Sequence, residues 1–204
     1  MINEDRRTRR TRRVLKESLV ALVLERGYDE VTVEDVTEYA DLSRATFYKY
    51  YPDKSTLLYK IVEDLQAELA NRLEPLHLGS TRGFTGEPVL ELFRHAREER
   101  DTYRVILRGE GNGVALRNFL ALRTASAKDV FVQRAEFLGL RMRLDPEILA
   151  RAWVGEQFAV LQWWLEQEEP EFTAEEVTHM LLDLSRYGRF WASGFEHEVN
   201  APSV

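Results

Sequence analysis

The sequence has no cysteine among its 204 residues, which excludes disulfides, thiolate metal sites and cysteine nucleophiles. Its histidines show neither HxxxH nor HExxH spacing, which gives a metal site or a histidine-based catalytic site little support. No glycine loop of the phosphate-cradling kind is present either. We therefore expect no catalytic residues, no cofactor and no metal, and we do not predict an enzyme. The histidines are His77, His95, His179 and His197.

Long apolar runs are also missing. No stretch approaches the roughly 20 apolar residues that a membrane-spanning helix needs, and the N-terminal MINEDRRTRRTRR lacks the apolar region of a signal peptide. We therefore expect a cytoplasmic protein with no membrane partner. Hydrophobic residues make up 44% of the chain, which suffices for an ordinary buried core.

Charge is distributed unevenly along this acidic chain of net charge −7. Residues 1–60 carry twelve Lys/Arg against eleven Asp/Glu, whereas residues 61–204 carry sixteen against twenty-four. Residues 1–16 alone hold seven cations and two anions. A basic leading edge on an acidic body favours contact with a polyanion at one end, although a solvated, disordered arm is the alternative interpretation.

The hydrophobic pattern predicts an all-α protein, because apolar residues recur at helical spacing and no sustained alternation appears. The first predicted helix ends at Gly27, and residues 75–88, with three glycines and two prolines, are predicted to form a loop. We expect two domains, 1–53 and 54–204, joined by a bridging helix over 54–74. The other helices are predicted near 33–40, 44–51, 88–108, 114–138, 146–168 and 174–194.

Two short helices joined by the sequence ADLS have the dimensions of a helix-turn-helix, whose second helix enters the DNA major groove. Ser43 is a candidate N-cap for that second helix and is also one of the predicted DNA-binding residues. Arg44 and Thr46 follow at its N-terminus, where guanine and the thymine methyl group are within reach. Tyr48 and Lys49 lie one turn further on and are expected to meet phosphate.

The flanking helices offer further contacts at their N-termini, because helix N–H groups and dipoles favour an anion. Thr32 begins one of these helices and Lys54 begins the other. Phe47 is expected to point inward instead. The alternative is an ordinary corner between two helices in which all the aromatic residues belong to the core.

The stretch TVEDVTEYADLSRATFYKYYPDKSTLL, preceded by RRTRRVLKESLVALVLERGYDEV, resembles the N-terminal domain of the tetracycline-repressor (TetR/AcrR-like) family. The resemblance implies an all-helical homodimer that binds a near-palindromic operator in double-stranded DNA and a small-molecule effector. It also implies that Thr32, Arg44, Thr46, Tyr48, Lys49 and Lys54 face DNA. The family usually has Gly where Asp41 stands and Ala where Thr37 stands.

The predicted helix 146–168 is apolar on two opposed faces. Both faces must be buried, most simply one by the subunit's own core and the other by a second subunit, which favours a dimer over monomeric packing. Phe158 and Leu161 lie on one of these faces, and Leu184, Gly188 and Trp191 lie on the stripe of the last helix. These five residues are the predicted dimer interface, in an isologous four-helix arrangement.

Two charges fall among apolar residues in the C-terminal half. Arg100 projects into the stripe of helix 88–108, and Glu156 projects into the face that carries Trp153 and Trp163. Buried charges are uncommon unless paired, so the two form a structural ion pair, extend to solvent, or line a cavity. Together with Tyr103 these residues are the predicted effector pocket.

We therefore predict a homodimeric, ligand-responsive transcriptional regulator that acts as a repressor and leaves its operator when the effector binds. Two alternatives remain open. One is a TetR-like adaptor or activator that works through a protein partner. The other is a helical enzyme acting on an apolar small molecule.

Overall fold

The computed structural model describes residues 6–78 and 86–192, and within these ranges the regular elements are helices, with no strand. The predicted all-α fold is confirmed. The helices are α1 (Arg6–Arg26), α2 (Val33–Tyr39), α3 (Arg44–Tyr50), α4 (Lys54–Leu78), α5 (Glu87–Glu98), α6 (Arg100–Leu107), α7 (Val114–Phe137), α8 (Pro146–Glu166) and α9 (Ala174–Ala192).

Helices α1 to α3 and the start of α4 share one cluster of buried side chains. Leu15, Phe47 and Leu57 are fully buried within it, and burial of each such side chain stabilises the fold by roughly 1.5–3 kcal/mol. The basic stretch before this core is helical from Arg6 onward. Within the described residues it therefore extends α1 and does not form a disordered arm.

The N-terminus of α2 is closed by a reciprocal pair of hydrogen bonds. The backbone N–H of Asp35 donates to Thr32 Oγ1 over 3.1 Å, and the backbone N–H of Thr32 donates to Asp35 Oδ2 over 2.7 Å. This arrangement is a capping box, which satisfies two backbone donors that a helix end would otherwise leave free. α2 begins at Val33, as the sequence predicts.

The turn between α2 and α3 places Asp41 in the left-handed region, with φ of 50°. The N–H of Asp41 donates to the carbonyl of Glu38 over 3.1 Å, and the N–H of Leu42 donates to that of Thr37 over 2.9 Å. These two bonds form a Schellman motif, in which glycine is the residue usually found at the left-handed position.

Asp41→Gly is expected to stabilise the protein by about 0.5–1 kcal/mol, because glycine adopts positive φ without the steric cost of a Cβ atom. Asp41→Ala is the matched control and should destabilise it, since alanine tolerates this conformation less well than aspartate. Chemical denaturation of the three proteins measures both effects. A glycine variant no more stable than the alanine variant would contradict this explanation of the turn.

α4 continues through Pro75 to Leu78, so the prediction that it ends before the proline is wrong. At this position the proline cannot donate to the carbonyl of Asn71, and its ring crowds that carbonyl. The predicted loop over 75–88 is correspondingly shorter: residues 79–85 lie outside the described part of the chain, and α5 begins at Glu87.

The predicted single helix over 88–108 is also wrong, because the chain breaks at Glu99 (φ −102°, ψ 33°) into α5 and α6. Both helices pack with α4, α7, α8 and α9 around a second cluster of buried side chains. Aromatic edge contacts join its helices: the ring centroids of Phe119 lie 5.8 Å from Tyr103 and 5.2 Å from Phe158.

α9 is kinked at Gly188, whose backbone has φ of 85° and ψ of 169°. Glycine adopts this conformation without strain, and among the described residues no atom outside the adjoining backbone lies within 4 Å of the position that a Cβ would take. The kink, and not a close helix approach within the subunit, therefore explains this glycine. None of the helices in the described ranges has the length and apolar character needed to cross a membrane.

Candidate nucleic-acid interface and sensing region

α3 presents its polar side chains outward and anchors itself through one aromatic ring. Ser43 caps the helix by accepting the N–H of Thr46 over 3.1 Å, as the sequence predicts. Phe47 is 0% exposed, whereas Tyr48 is 55% exposed. Arg44 and Lys49 are also exposed. The predicted inward position of Phe47 is confirmed, and the predicted base-reading side chains share an accessible surface.

Two of these side chains have local partners in the protein without DNA. The guanidinium of Arg44 forms an ion pair with Glu34 of α2, and the hydroxyls of Ser43 and Thr46 are 2.9 Å apart. Because both members of the Arg44–Glu34 pair are more than half exposed, the pair contributes at most about 1 kcal/mol and can be exchanged for another acceptor. DNA contact by these residues stays a prediction.

Thr32 is exposed at the start of α2, but its hydroxyl donates to Asp35 Oδ2 over 2.6 Å. The hydrogen bonds from Thr32 hold the pKa of the Asp35 carboxyl below its usual range. The hydroxyl is therefore already used in the capping box, and a phosphate contact would have to share it.

Lys54 is bound inside the protein, whereas the prediction from the sequence places it against DNA. Its ammonium donates to the backbone carbonyls of Tyr28 and Val31, each over 2.6 Å, and lies 4.0 Å from the centroid of the Tyr28 ring. Burial lowers its pKa. Two of its three donors are used inside the protein, so the position of Lys54 does not support the predicted side-chain contact with phosphate. Its contacts instead fix the connection between α1 and α2.

The basic start of α1 lies beside α3. The Arg12 guanidinium lies 5.6 Å from the centroid of the Tyr50 ring, and the hydroxyls of Thr8 and Tyr50 are 3.5 Å apart. Exposed arginines at 6, 7, 9, 10 and 13 cover this end of the helix. α1 and α3 together therefore form one basic, exposed surface suited to a polyanion.

Comparison with known proteins finds a family match that includes α2 and α3. Residues 17–61 match the family model described as bacterial regulatory proteins, tetR family. This segment is similar to the DNA-binding domain of the TetR family of transcriptional regulators. The predicted resemblance is thereby confirmed for this segment, which contains α2 and α3.

Similarity extends beyond the DNA-binding domain. The HTH-type transcriptional regulator YxbF of Bacillus subtilis is 27% identical over 187 residues, which cover 87% of this chain but 45% of that protein. The chain thus spans less than half the length of this relative.

Solved structures share the fold. A putative TetR-family regulator from Syntrophomonas wolfei superimposes with a TM-score of 0.72 at 18% identity, covering 91% of this chain and 96% of that one. The fatty acid degradation regulator FadR from Bacillus halodurans gives 0.70 at 14% identity, covering 84% and 96%. At these identities the likeness concerns the all-helical architecture.

The predicted effector pocket does not form as one site. Arg100 donates from Nε to the carbonyl of Leu165 over 3.0 Å and from Nη2 to that of Gln167 over 2.7 Å. It therefore caps the C-terminus of α8, where cations and donors are stabilising. Pairing with Glu156 and a place in a pocket are both wrong for this arginine, because the break at Glu99 changes the direction of α6.

The other predicted pocket residues are separated as well. Tyr103 is 0% exposed and its hydroxyl lies 2.9 Å from Nδ1 of His95, so it belongs to the core. Burial raises the pKa of this phenol and lowers that of His95. Trp163 is 51% exposed on the outside of α8.

Trp153 and Glu156 do line a cavity of about 500 Å³ between α7, α8 and α9. Phe131 of α7 forms another wall, with its ring centroid 6.4 Å from that of Trp153. Most of the lining is apolar, which suits a small organic molecule. The remaining lining residues are Leu149, Ala152, Leu182, Leu184, Ser185 and Arg186.

Sequence reasoning missed Arg123, a half-buried cation of α7 near Tyr103. Within the described ranges it has neither a hydrogen bond nor an ion pair, and burial lowers its pKa. Projecting the sequence of α7 onto a helix would have found it, because Arg123 shares a face with the buried Phe119. It differs from Arg100, which has two carbonyl acceptors.

Arg100→Met is expected to destabilise the protein by about 1–3 kcal/mol, because two carbonyls at the end of α8 lose their donor. Arg123→Met removes a desolvated charge that has no ion pair among the described residues, and it should leave stability unchanged or increase it. Thermal melts of both variants measure the difference. Equal losses for the two would contradict the capping role of Arg100.

The predicted dimer residues fall in different places. Phe158 is 5% exposed and Leu161 0% exposed, because both pack into their own subunit's core. Placing them at a subunit interface was wrong: they cover the inner face of α8. Leu184 lines the cavity, and the side chain of Trp191 lies outside the described residues. A dimer contact at Leu184 or at Gly188 stays a prediction.

No group of three or more His, Asp or Glu side chains within residues 6–78 and 86–192 is arranged to hold a metal ion.

Proposed function

We propose that this TetR-family protein is a cytoplasmic, dimeric repressor that leaves its operator when a small molecule binds its C-terminal helices. The arrangement of α3 carries the proposal, because Phe47 fixes the helix from inside while Arg44, Thr46, Tyr48 and Lys49 remain outside. The division into domains 1–53 and 54–204, bridged by residues 54–74 of α4, belongs to the same proposal. Catalysis has no part in it.

On DNA, α3 enters the major groove and the arginines at the start of α1 contact the backbone or the minor groove beside it. Phosphate contacts supply affinity and base contacts supply sequence preference. A dimer presents two such helices to a near-palindromic site whose half-sites lie one turn, about 34 Å, or more apart.

α6 links the sensing helices to the DNA-binding helices. Just after α6, Arg108 donates to the two carboxylate oxygens of Glu166 over 2.8 and 2.7 Å. Within α6, Arg104 donates to the same carboxylate over 3.4 Å. The bonds from Arg108 lower the pKa of Glu166. Together with Arg100 these arginines attach α6 to the end of α8.

The other side of α6 packs on the DNA-binding helices. Val105 lies in their buried cluster and is 1% exposed. In the turn after α6, Glu110 accepts the backbone N–H of Tyr28 over 2.9 Å. The same turn packs closely on α4 at Gly111, because a Cβ atom at this glycine would lie only 2.8 Å from the side chain of Leu58. A shift of α8 is therefore transmitted through α6 to the α1–α2 connection, in addition to the expected route along α4.

The effector site in this proposal is the cavity between α7, α8 and α9, and its apolar walls favour a largely apolar ligand. Such a ligand releases DNA only to the extent that it binds the released conformer more tightly than the DNA-bound one. An adaptor acting through a protein partner remains the alternative, and it predicts no binding to the upstream DNA by the purified chain alone.

The DNA-binding test compares two arginine variants that lose the same charge. Arg44→Ala should reduce the preference for the duplex upstream of the protein's own gene over random duplex by about 5- to 150-fold, the range of one base contact. Arg10→Ala should lower the affinity for both duplexes alike. It should also reduce the slope of log affinity against log salt concentration, the salt slope, by about one. Fluorescence anisotropy measures all four affinities. If Arg44→Ala lowers the affinity for both duplexes equally, the assignment of Arg44 to a base contact is overturned.

A further inference from the structure

Glu34 places a carboxylate beside the side chains of α3 that are assigned to DNA. It lies in the first turn of α2, its side chain is 58% exposed, and it forms an ion pair with Arg44 at the start of α3. A carboxylate on a surface that meets phosphate lowers affinity for all DNA, because like charges repel. Attraction for a polyanion therefore does not explain this residue, and its contact with Arg44 is the feature to account for.

The backbone that carries Glu34 is held in place by its neighbours. Thr32 and Asp35 flank it and form the capping box of α2. The hydroxyl of Thr37 donates to the carbonyl of Glu34 over 3.0 Å. Glu34 therefore has a fixed position on α2, and its carboxylate is a fixed acceptor for the guanidinium of Arg44.

Arg44 has two kinds of acceptor on DNA, the phosphate oxygens and the edge of guanine. It is the first residue of α3 and its side chain is 55% exposed, so without a restraint it is free to turn to phosphate, which is present at every sequence. A guanidinium has five N–H donors in a planar fork, and a bidentate bond to guanine O6 and N7 uses two of them. Arg44 can therefore bind guanine while it keeps its bond to Glu34.

The ion pair changes what Arg44 contributes on a sequence without guanine at that position. Beside an equal and opposite charge, the guanidinium attracts phosphate much less than a free one does. On guanine, the same ion pair keeps the fork oriented, so less side-chain freedom is lost on binding. The pair thus weakens nonspecific binding more than specific binding, which raises the preference for the specific site.

We propose that Glu34 is a positioning residue that sets the sequence preference of Arg44, by holding its guanidinium toward a guanine edge and away from phosphate. The proposal rests on the proposed base contact of Arg44, and it gives Glu34 no base contact of its own. Both side chains are more than half exposed, and an exposed pair of this kind alters an equilibrium by about 1.5- to 5-fold.

Glu34→Gln tests the proposal by fluorescence anisotropy on the duplex upstream of the protein's own gene and on random duplex. The variant should bind random duplex about 1.5- to 5-fold more tightly, with a salt slope larger by about one, because Arg44 is then free to contact phosphate. Its affinity for the upstream duplex should rise less, so the preference for that duplex should fall.

Glu38→Gln is the matched control, because it removes the same charge one turn further along α2. Glu38 is exposed and forms no ion pair with the part of the chain that the structure describes. This variant should change both affinities by the same factor and leave the preference as it is. If Glu34→Gln also changes both affinities by one factor, the carboxylate acts only as a charge and the proposal is overturned.

A double-mutant cycle separates a role through Arg44 from direct reading of a base. In the Arg44→Ala background, Glu34→Gln should leave the preference unchanged, because the group that it positions is gone. A further loss of preference there, as expected if Glu34 accepts a cytosine N4 hydrogen, would overturn the proposal. If Arg44→Ala lowers the preference and Glu34→Gln does not, only the role of Glu34 is contradicted. If Arg44→Ala leaves the preference intact, the base contact in the proposed function is contradicted as well.

Discussion

Phe47→Ala is expected to lower the free energy of unfolding of the DNA-binding helices by about 3–5 kcal/mol and to abolish DNA binding. Phe47 is fully buried, and its ring centroid lies 5.5 Å from that of Tyr48 and 5.9 Å from that of Tyr51. Removing the ring leaves a cavity beneath α3, the helix that must hold a fixed position in the groove. Thermal unfolding and anisotropy titration measure the two effects.

Tyr48→Ala is the matched control on the next residue. Because Tyr48 is 55% exposed, its loss should change stability by no more than about 0.5 kcal/mol while still weakening DNA binding. A Phe47→Ala protein that melts like the native one would show that α3 is not anchored in this way.

Lys54→Met is expected to reduce affinity for all DNA sequences while leaving the salt dependence of binding unchanged. The variant keeps the apolar stem but leaves the carbonyls of Tyr28 and Val31 without their charged donor, at a cost of about 1–3 kcal/mol for each bond. The α1–α2 connection, which sets the position of the helix-turn-helix, should loosen. A melt and a salt titration on the same preparation measure both quantities.

Lys49→Met gives the contrast, because Lys49 is exposed on α3. Its removal should leave the melting temperature unchanged and reduce the salt slope by about one, as loss of one phosphate contact does. If Lys54→Met instead behaves like Lys49→Met, the ammonium of Lys54 faces DNA and the phosphate role expected from the sequence is the correct one.

The DNA-binding helices were predictable because their signals are local. A capping box at Thr32, a cap at Ser43 and the need for a left-handed residue at Asp41 each depend on contacts within a few residues. The inward position of Phe47 follows from helical spacing. The acceptors of Lys54 were not predictable, because the carbonyls of Tyr28 and Val31 lie more than twenty residues away and are backbone atoms, which leave no trace in residue type.

The C-terminal helices were harder to predict for the same reason. A periodic stripe does not show the break at Glu99, which changes the direction of α6 and turns Arg100 from a candidate ligand anchor into a helix cap. α8 was correctly read as two-faced, but periodicity alone does not tell which face meets the subunit's own core. Phe158 and Leu161 were therefore placed on the wrong side.

Selection of binding sites from a randomised duplex library tests the central claim, recognition of a near-palindromic operator by a pair of α3 helices. The native chain should enrich an inverted repeat with half-sites about one turn or more apart. Arg44→Ala should lose sequence preference at symmetry-related positions in both half-sites, with the rest of the site retained. Enrichment of no common site, or of an identical site by the native and Arg44→Ala proteins, would contradict the account.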